Sequence, residues 1–494
     1  MKLKHIKFAI VTVLVLSAIS CKKYLDINQD PDNILDAPLP QLLTSAQVNL
    51  GFEGGSDLFR YTSLLAQQMS GQASQPNQTY EYDRYNITGS DQNNLWSSMY
   101  STTLSDLELI IKKASTSGSP YYAGVAKILK AYEYQKAVDT WGDIPYSEAQ
   151  QLDQNTKPKY DKGEDIYKAI TTLLTDAVTD LNAPSSTLSP TTNSVIYTAS
   201  TFPKANWIKL ANTLRLRIYL HYTKKDAAFA VAQMTALINS AGTNLFSSNA
   251  DNFQMPFFNL PKQQNPIQQF EANRANYLFA NQAMVSIMNT KNDPRRAFYF
   301  TPFPWGSTSY KGVTPGETGQ NFSRIHTYLR GAATGVPVPN TEGGITADAL
   351  TYSGAAPIRF LTYAEYCFIR AEGALRGAPG DAQTWFTNGI TASMTDAGVV
   401  TADITTYLAA NGTLTGTTEE KIKRVIEEKY VALFGTTNES WTDFRRTGYP
   451  ALTAPSNAVV NQVPRSMYYP QSEIDLNPNS PGQKANLQVK IFWD

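Results

Sequence analysis

Tyr363-Ala-Glu-Tyr-Cys-Phe-Ile-Arg-Ala-Glu-Gly-Ala-Leu375, a break at Gly377-Ala-Pro-Gly-Asp381, then Ala382-Gln-Thr-Trp-Phe386 is the stretch that decides the fold. Apolar residues recur every three to four positions on both sides of the break, as on one face of an α-helix. Gly, Pro and Asp in between stop one helix and start the next. Alanines at the close-packing positions let two such helices lie side by side, as in tetratricopeptide units. The same periodicity recurs along the chain. It predicts helices over 42–52, 58–69, 95–114, 121–138, 163–181, 205–222, 227–240, 382–395 and 419–434. The clearest is 163–181, where Ile166, Ala169, Ile170, Leu173, Leu174, Ala177, Val178 and Leu181 fall at 3.6-residue spacing. The 205–222 stretch is apolar on more than one face and is expected to be deeply buried.

Residues 241–357 break the pattern. Asn, Gln, Pro, Gly and aromatic residues rise there, and helical periodicity fades except at 278–288. A loop-rich segment of this length inside a folded unit is commonly functional. The expected architecture is therefore mainly α: a tetratricopeptide-like scaffold at 41–240 and 358–450, a loop-rich ligand-binding region at 241–357, and an extended tail at 451–494.

The N-terminus is organised differently. Lys2, Lys4 and Lys7 precede an apolar run from Phe8 to Ile19, and Ala18 and Ser20 stand before Cys21. This is a secretory signal ending at a lipidation site. The run is shorter than the roughly 20 residues needed to span a bilayer. Residues 1–20 are read as a lipoprotein signal peptide and 21–40 as a tether, with acyl chains on Cys21 holding the protein to the membrane. The competing reading is an ordinary secreted protein with a cysteine at its cleavage site. Asp26-Ile-Asn-Gln-Asp30-Pro-Asp32 resembles the start of a calcium loop, but Pro31 stands where Gly is required and Ala37 where Glu is required. With Cys21 acylated, Cys367 has no disulfide partner. It lies within a helical apolar pattern and is read as buried and inert.

Composition narrows the chemistry. Basic and acidic residues number 42 each, a balance that gives no support for nucleic-acid binding. The sequence has no Gly-x-Ser-x-Gly elbow, P-loop, Gly-x-Gly-x-x-Gly or His-Glu-x-x-His. His221 and His326 are the only histidines after the signal and lack the spaced partners of a zinc site. No catalytic residue, metal or cofactor is expected, and a secreted hydrolase is a less favoured reading. Arg295-Arg296 and Arg445-Arg446 read as pins of loops to helix ends, an anionic ligand site being the alternative.

The chain holds 28 Tyr, 21 Phe and 7 Trp against only 17% charged residues. Rings with surrounding amides and hydroxyls suit neutral polar ligands. The candidate ligand-binding residues are Tyr80, Tyr82 and Tyr85 in a polar segment, Phe257 and Phe258, and Phe303, Trp305 and Tyr310 in a Pro- and Gly-containing loop. Phe298 to Phe300 are read as core, as are Trp96 and Tyr100.

Several segments resemble the SusD/RagB outer-membrane nutrient-binding lipoproteins of Bacteroidetes, in particular the SusD-like branch. They are Tyr24-Leu-Asp-Ile-Asn-Gln-Asp-Pro-Asp-Asn33, Trp141-Gly-Asp-Ile-Pro-Tyr-Ser-Glu-Ala149, Trp207-Ile-Lys-Leu-Ala-Asn-Thr-Leu-Arg-Leu-Arg217, Asp293-Pro-Arg-Arg296, Tyr363-Ala-Glu365 with Arg370-Ala-Glu372, Trp441 to Pro450, and Arg465-Ser-Met-Tyr-Tyr-Pro470. They keep their order over nearly the whole chain after the signal. The resemblance implies a helical scaffold topped by irregular ligand-binding structure, and noncatalytic capture of oligosaccharide or, in some members, peptide. It implies a SusC-type TonB-dependent outer-membrane transporter as partner and surface exposure on the outer membrane. It does not carry over a ligand site. A helical-repeat scaffold that binds only protein remains a further alternative.

Overall fold

The computed structural model describes residues 37–71, 73, 77–151, 154–335 and 350–494. The signal, Cys21 and most of the tether lie outside the described residues.

Helices carry the architecture. The first are α1 (Leu39–Gly55), α2 (Asp57–Leu65), α3 (Gln78–Asp83) and α4 (Asn93–Ser97), followed by a π-helical turn (Ser98–Thr103). Next come α5 (Leu104–Ser117), α6 (Pro120–Trp141), α7 (Gly163–Leu181), α8 (Lys204–His221) and α9 (Ala227–Ala241). The inserted region contributes short helices α10 (Pro266–Asn273), α11 (Gln282–Thr290), α12 (Arg296–Tyr299) and α13 (Thr327–Arg330). The second part of the scaffold is α14 (Tyr363–Leu375), α15 (Ala382–Ala397), α16 (Thr401–Asn411), α17 (Thr418–Ala432) and α18 (Glu439–Thr447), and α19 (Gln471–Leu476) lies in the tail.

Packing follows the sequence pattern. On α7 the residues Ile166, Ile170, Leu174, Ala177 and Leu181 form one buried stripe, and that stripe lies against α6. Close approach there needs Gly124: a Cβ on it would sit 2.8 Å from Leu181 Cγ. The pair α14–α15 repeats the device, because a Cβ on Gly389 would meet the Phe368 ring at 2.9 Å. Helix α8 is buried on nearly every face, from Trp207 to His221, as its sequence predicts. Helices α16 and α18, and the short helices α3, α10, α12, α13 and α19, fall outside the stretches that the periodicity predicts. The predicted helix at 95–114 is divided by the π-turn.

Strands are short and act as ties. Met69–Ser70 pairs antiparallel with Phe279–Ala280, and Phe253–Met255 with Ile358–Leu361. These ribbons fasten the inserted region to the scaffold. Among its described residues, the rest of that region is mainly short helices α10 to α13 joined by turns and irregular segments.

A polar seam crosses the core. Asp139 of α6 accepts from Trp493 Nε1 (2.9 Å), from Gln135 (2.6 Å) and from the Tyr167 hydroxyl. His221 Nδ1 lies 2.9 Å from that hydroxyl, and its Nε2 3.1 Å from Glu439 Oε2. The polar groups of all these residues would be costly to bury alone; bonded to one another they are satisfied. Trp493 is fully buried. The expected surface tail is thus corrected at its end: Arg445 stacks between Trp441 and Trp493 (3.6 and 4.8 Å from Cζ to the ring centroids), and Asp494 is bound by Arg465 and by Lys224 at 2.7 Å. A Trp ring is better placed in the core than in water.

The arginine pairs act as pins. Arg295 bonds Asp293 and Glu428, and Arg446 bonds Glu372 and Asp443, all buried. Cys367 is buried, and burial pushes its thiol up to about 12.

Candidate ligand-binding surface

The eight candidate aromatic residues divide into two groups. Tyr82, Tyr85 and Phe257 belong to the core, a correction to their reading as ligand contacts. The polar segment around Tyr82 is a helix, because Asn77 caps α3 by accepting from Tyr80 N (3.1 Å). That helix turns Tyr82 onto Tyr61, with centroids 4.7 Å apart, and the Tyr82 hydroxyl donates to Asp91 (3.1 Å). Tyr85 is 1% exposed, and its hydroxyl accepts from Gln67 (3.1 Å). Phe257 is set edge-on to Phe52 at 5.8 Å.

Tyr80, Phe303, Trp305 and Tyr310 are half-buried, and Phe258 is 51% exposed. Tyr80 lies beneath the Arg84 guanidinium (5.9 Å). The Phe303 to Ser309 loop is closed by a backbone bond from Phe303 N to Ser309 O (2.8 Å), which leaves Trp305 near its tip. Lys311 Nζ lies 5.8 Å from the Phe303 ring and 4.7 Å from the Phe322 ring.

Tyr310 opens onto a cleft of about 330 Å³. Arg296 crosses its ring at 5.3 Å. The guanidinium is fixed by Nε donating to Asp293 O and Nη1 to Asn289 Oδ1, each at 2.8 Å. Phe298, Thr308, Val400 and Asp403 complete the walls. Apolar ring surface thus meets a guanidinium on α12, a carboxylate on α16 and a hydroxyl on the loop that precedes Tyr310. Burial raises the Tyr310 phenol above its ordinary range, opposed by Arg296, so the ring is a neutral hydrogen-bonding and stacking group at physiological pH.

Phe298, Thr308, Val400 and Asp403 were not among the candidates, and Arg296 entered only through the alternative reading of the arginine pairs. Val400 and Asp403 begin α16, a helix with a weak sequence pattern. The sequence signal for this site was the Arg295-Arg296 pair; that Val400, before α16, stays 62% exposed is seen only in the structure. Asp139, His221 and Glu439 could geometrically hold a metal, since a ligand atom of each lies within 4.8 Å of the others. In this structure all three are engaged in the hydrogen bonds of the core seam.

Residues 31–470 match the SusD-like family described as "Starch-binding associating with outer membrane". The chain belongs to that family. Nutrient binding at the outer membrane is the role of the group, and among the described residues no helix is long and apolar enough to cross a membrane. The SusD-like protein is similar to a chitin-binding SusD homologue from Flavobacterium johnsoniae: 23% identity, 92% of this chain and 97% of the other, TM-score 0.73. It is similar to a SusD homologue from Bacteroides uniformis, with 22% identity over 92% of this chain and 99% of the other, TM-score 0.71. A SusD homologue from Bacteroides fragilis gives 23% identity, coverage of 93% and 99%, and TM-score 0.71. At these identities the likeness shows the fold. No curated protein matches the sequence significantly.

Proposed function

We propose that this SusD-like protein is a noncatalytic glycan-binding lipoprotein, anchored through acylated Cys21, that captures oligosaccharide and passes it to a SusC-type TonB-dependent transporter in the outer membrane. The observation that carries the reading is the Tyr310 cleft with its neighbouring Phe303–Trp305 loop. Aromatic surface for sugar faces stands beside a fixed guanidinium, a carboxylate and a hydroxyl for sugar hydroxyls. Family membership supports the ligand class, and the chitin-binding relative supports a polysaccharide-derived ligand. The absence of catalytic motifs from the sequence supports binding without turnover.

The test is calorimetric titration with starch- and chitin-derived oligosaccharides and with peptides of matched length. Saccharide binding that weakens in Tyr310→Ala is the expected result. Binding of peptides alone would move the protein to the peptide reading with the same architecture. The anchor is tested separately: Cys21→Ala is expected to leave the membrane fraction. Co-purification with a large β-barrel after mild detergent extraction tests the transporter.

A further inference from the structure

A second groove lies along α5, away from the residues of the Tyr310 cleft. Its first part, about 510 Å³, is walled by Tyr100, Ser101, Ser105, Gln150, Asn155 and Glu473. Ser105 and Gln150 also line an adjoining cleft of about 400 Å³, where Gln151 and Gln154 extend the amide wall. Ser105, Glu108 and Lys112 recur at three- and four-residue spacing, so one face of α5 forms the floor of that second part. The two clefts therefore make one elongated groove.

Its aromatic end is built rather than incidental. Tyr100 stacks on Trp96 with centroids 4.3 Å apart at 25°, and Tyr160 continues the stack beyond Trp96 at 6.5 Å and 17°. Tyr100 sits in the π-turn, a geometry that costs regular helical bonding and occurs often at functional sites. Both ends of the turn are tied to one carboxylate: Glu53 Oε1 accepts from Ser98 (2.8 Å) and Thr103 (2.5 Å). The ring is then fixed by its hydroxyl donating to Pro145 O (2.8 Å), and its backbone carbonyl accepts from Gln150 Nε2 (2.9 Å).

We infer that this groove is a second oligosaccharide-binding site. The inference rests on the glycan-binding reading above. Among the described residues, no Lys or Arg lines the first part, and Glu473 is the one charged group there. In the second, Glu108 and Lys112 are the charged groups among the described lining residues, and they balance. Such a wall selects a neutral ligand over an anionic one. Hydroxyls and side-chain amides along a trough, with ring surface at one end, suit a linear neutral sugar chain.

The test uses the full-length protein in detergent, carrying Ser101→Cys labelled with an environment-sensitive fluorophore, titrated with starch- and chitin-derived oligosaccharides. The label is expected to respond saturably, and to keep its response when Tyr310→Ala is added. Gln150→Ala is expected to weaken the label-detected affinity about fivefold, the loss of roughly one hydrogen bond. Ser105→Tyr, which fills the junction of the two clefts, is expected to abolish it. If calorimetry finds saccharide binding but the label is silent, or responds equally in both groove variants, the second site is overturned and the proposed function stands. A label that answers peptides and not sugars also overturns it. If no saccharide binds by either readout, the proposed function fails first and the groove with it.

Discussion

Arg217 and Glu365 stand 148 residues apart in sequence and lock together in the core: Nε donates to Oε1 at 2.8 Å and Nη2 to Oε2 at 2.7 Å, with both side chains fully buried. The pair joins α8 of the first scaffold part to α14 of the second. Arg217 also donates to Phe360 O (2.7 Å), on the strand that ties the inserted region down. A planar guanidinium suits this two-pronged contact better than an ammonium does.

Removing one partner of this pair is expected to be severe. Glu365→Ala leaves a buried guanidinium without its main counter-charge and should cost about 3–5 kcal/mol. Chemical denaturation measures it, and a double-mutant cycle with Arg217→Met should show coupling of about 0.5–3 kcal/mol. A cost below about 1 kcal/mol would mean that the two scaffold parts do not depend on this contact.

Acid should loosen the second scaffold part through Glu372. Burial alone would raise this carboxyl, but Arg446, with help from Arg376, holds it down to about 2. A depressed carboxylate stabilises the fold above its unfolded value of 4.5, and that stability is lost as pH falls toward 2. Glu372→Gln should therefore flatten the stability profile between about pH 4.5 and 2 while lowering stability at pH 7. Thermal melts across that range give the comparison.

Asp83 should act with the opposite sign. Burial raises its carboxyl from 3.8 to about 8, opposed by hydrogen bonds from the Ser70 hydroxyl and Gly71 N–H. The folded state then holds its proton where the unfolded chain has lost it, so stability falls as pH rises from about 4 to 8. Asp83→Asn is expected to gain about 1–3 kcal/mol over the parent at pH 9 and nothing at pH 4. Equal melting of the two proteins at pH 9 would contradict a buried carboxylate there.

Aromatic truncations should separate core from surface. Tyr82→Ala removes a ring that is 1% exposed and packed on Tyr61, and should destabilise by about 3–5 kcal/mol. Trp305→Ala and Tyr310→Ala remove half-buried rings, and should cost less than about 1.5 kcal/mol while weakening saccharide affinity. Paired denaturation and binding measurements distinguish the two classes. Loss of binding without loss of stability in Tyr82→Ala would reverse the assignment.

Much of this protein is legible locally. The Ile166 to Leu181 stripe, the break at Gly377 to Asp381 and the all-round apolar character of 205–222 each predict a helix and its burial, because a helix repeats its faces every 3.6 residues whatever it packs against. The order of the Trp141, Trp207, Tyr363 and Trp441 motifs carried the family. Which rings stay free was decided only in three dimensions. Tyr80, Tyr82 and Tyr85 look alike in sequence, yet α2 covers two of them, the Tyr61 ring packing at a tilt on Tyr82 and Gln67, just past its end, bonding Tyr85. Trp493 looks like part of a surface tail and fills the core beside His221 and Arg445, partners 272 and 48 residues earlier. Exposure depends on contacts between distant segments, and local periodicity holds no record of them. The Tyr310 cleft and the groove along α5 arise in the same way, from walls supplied by segments far apart in the chain.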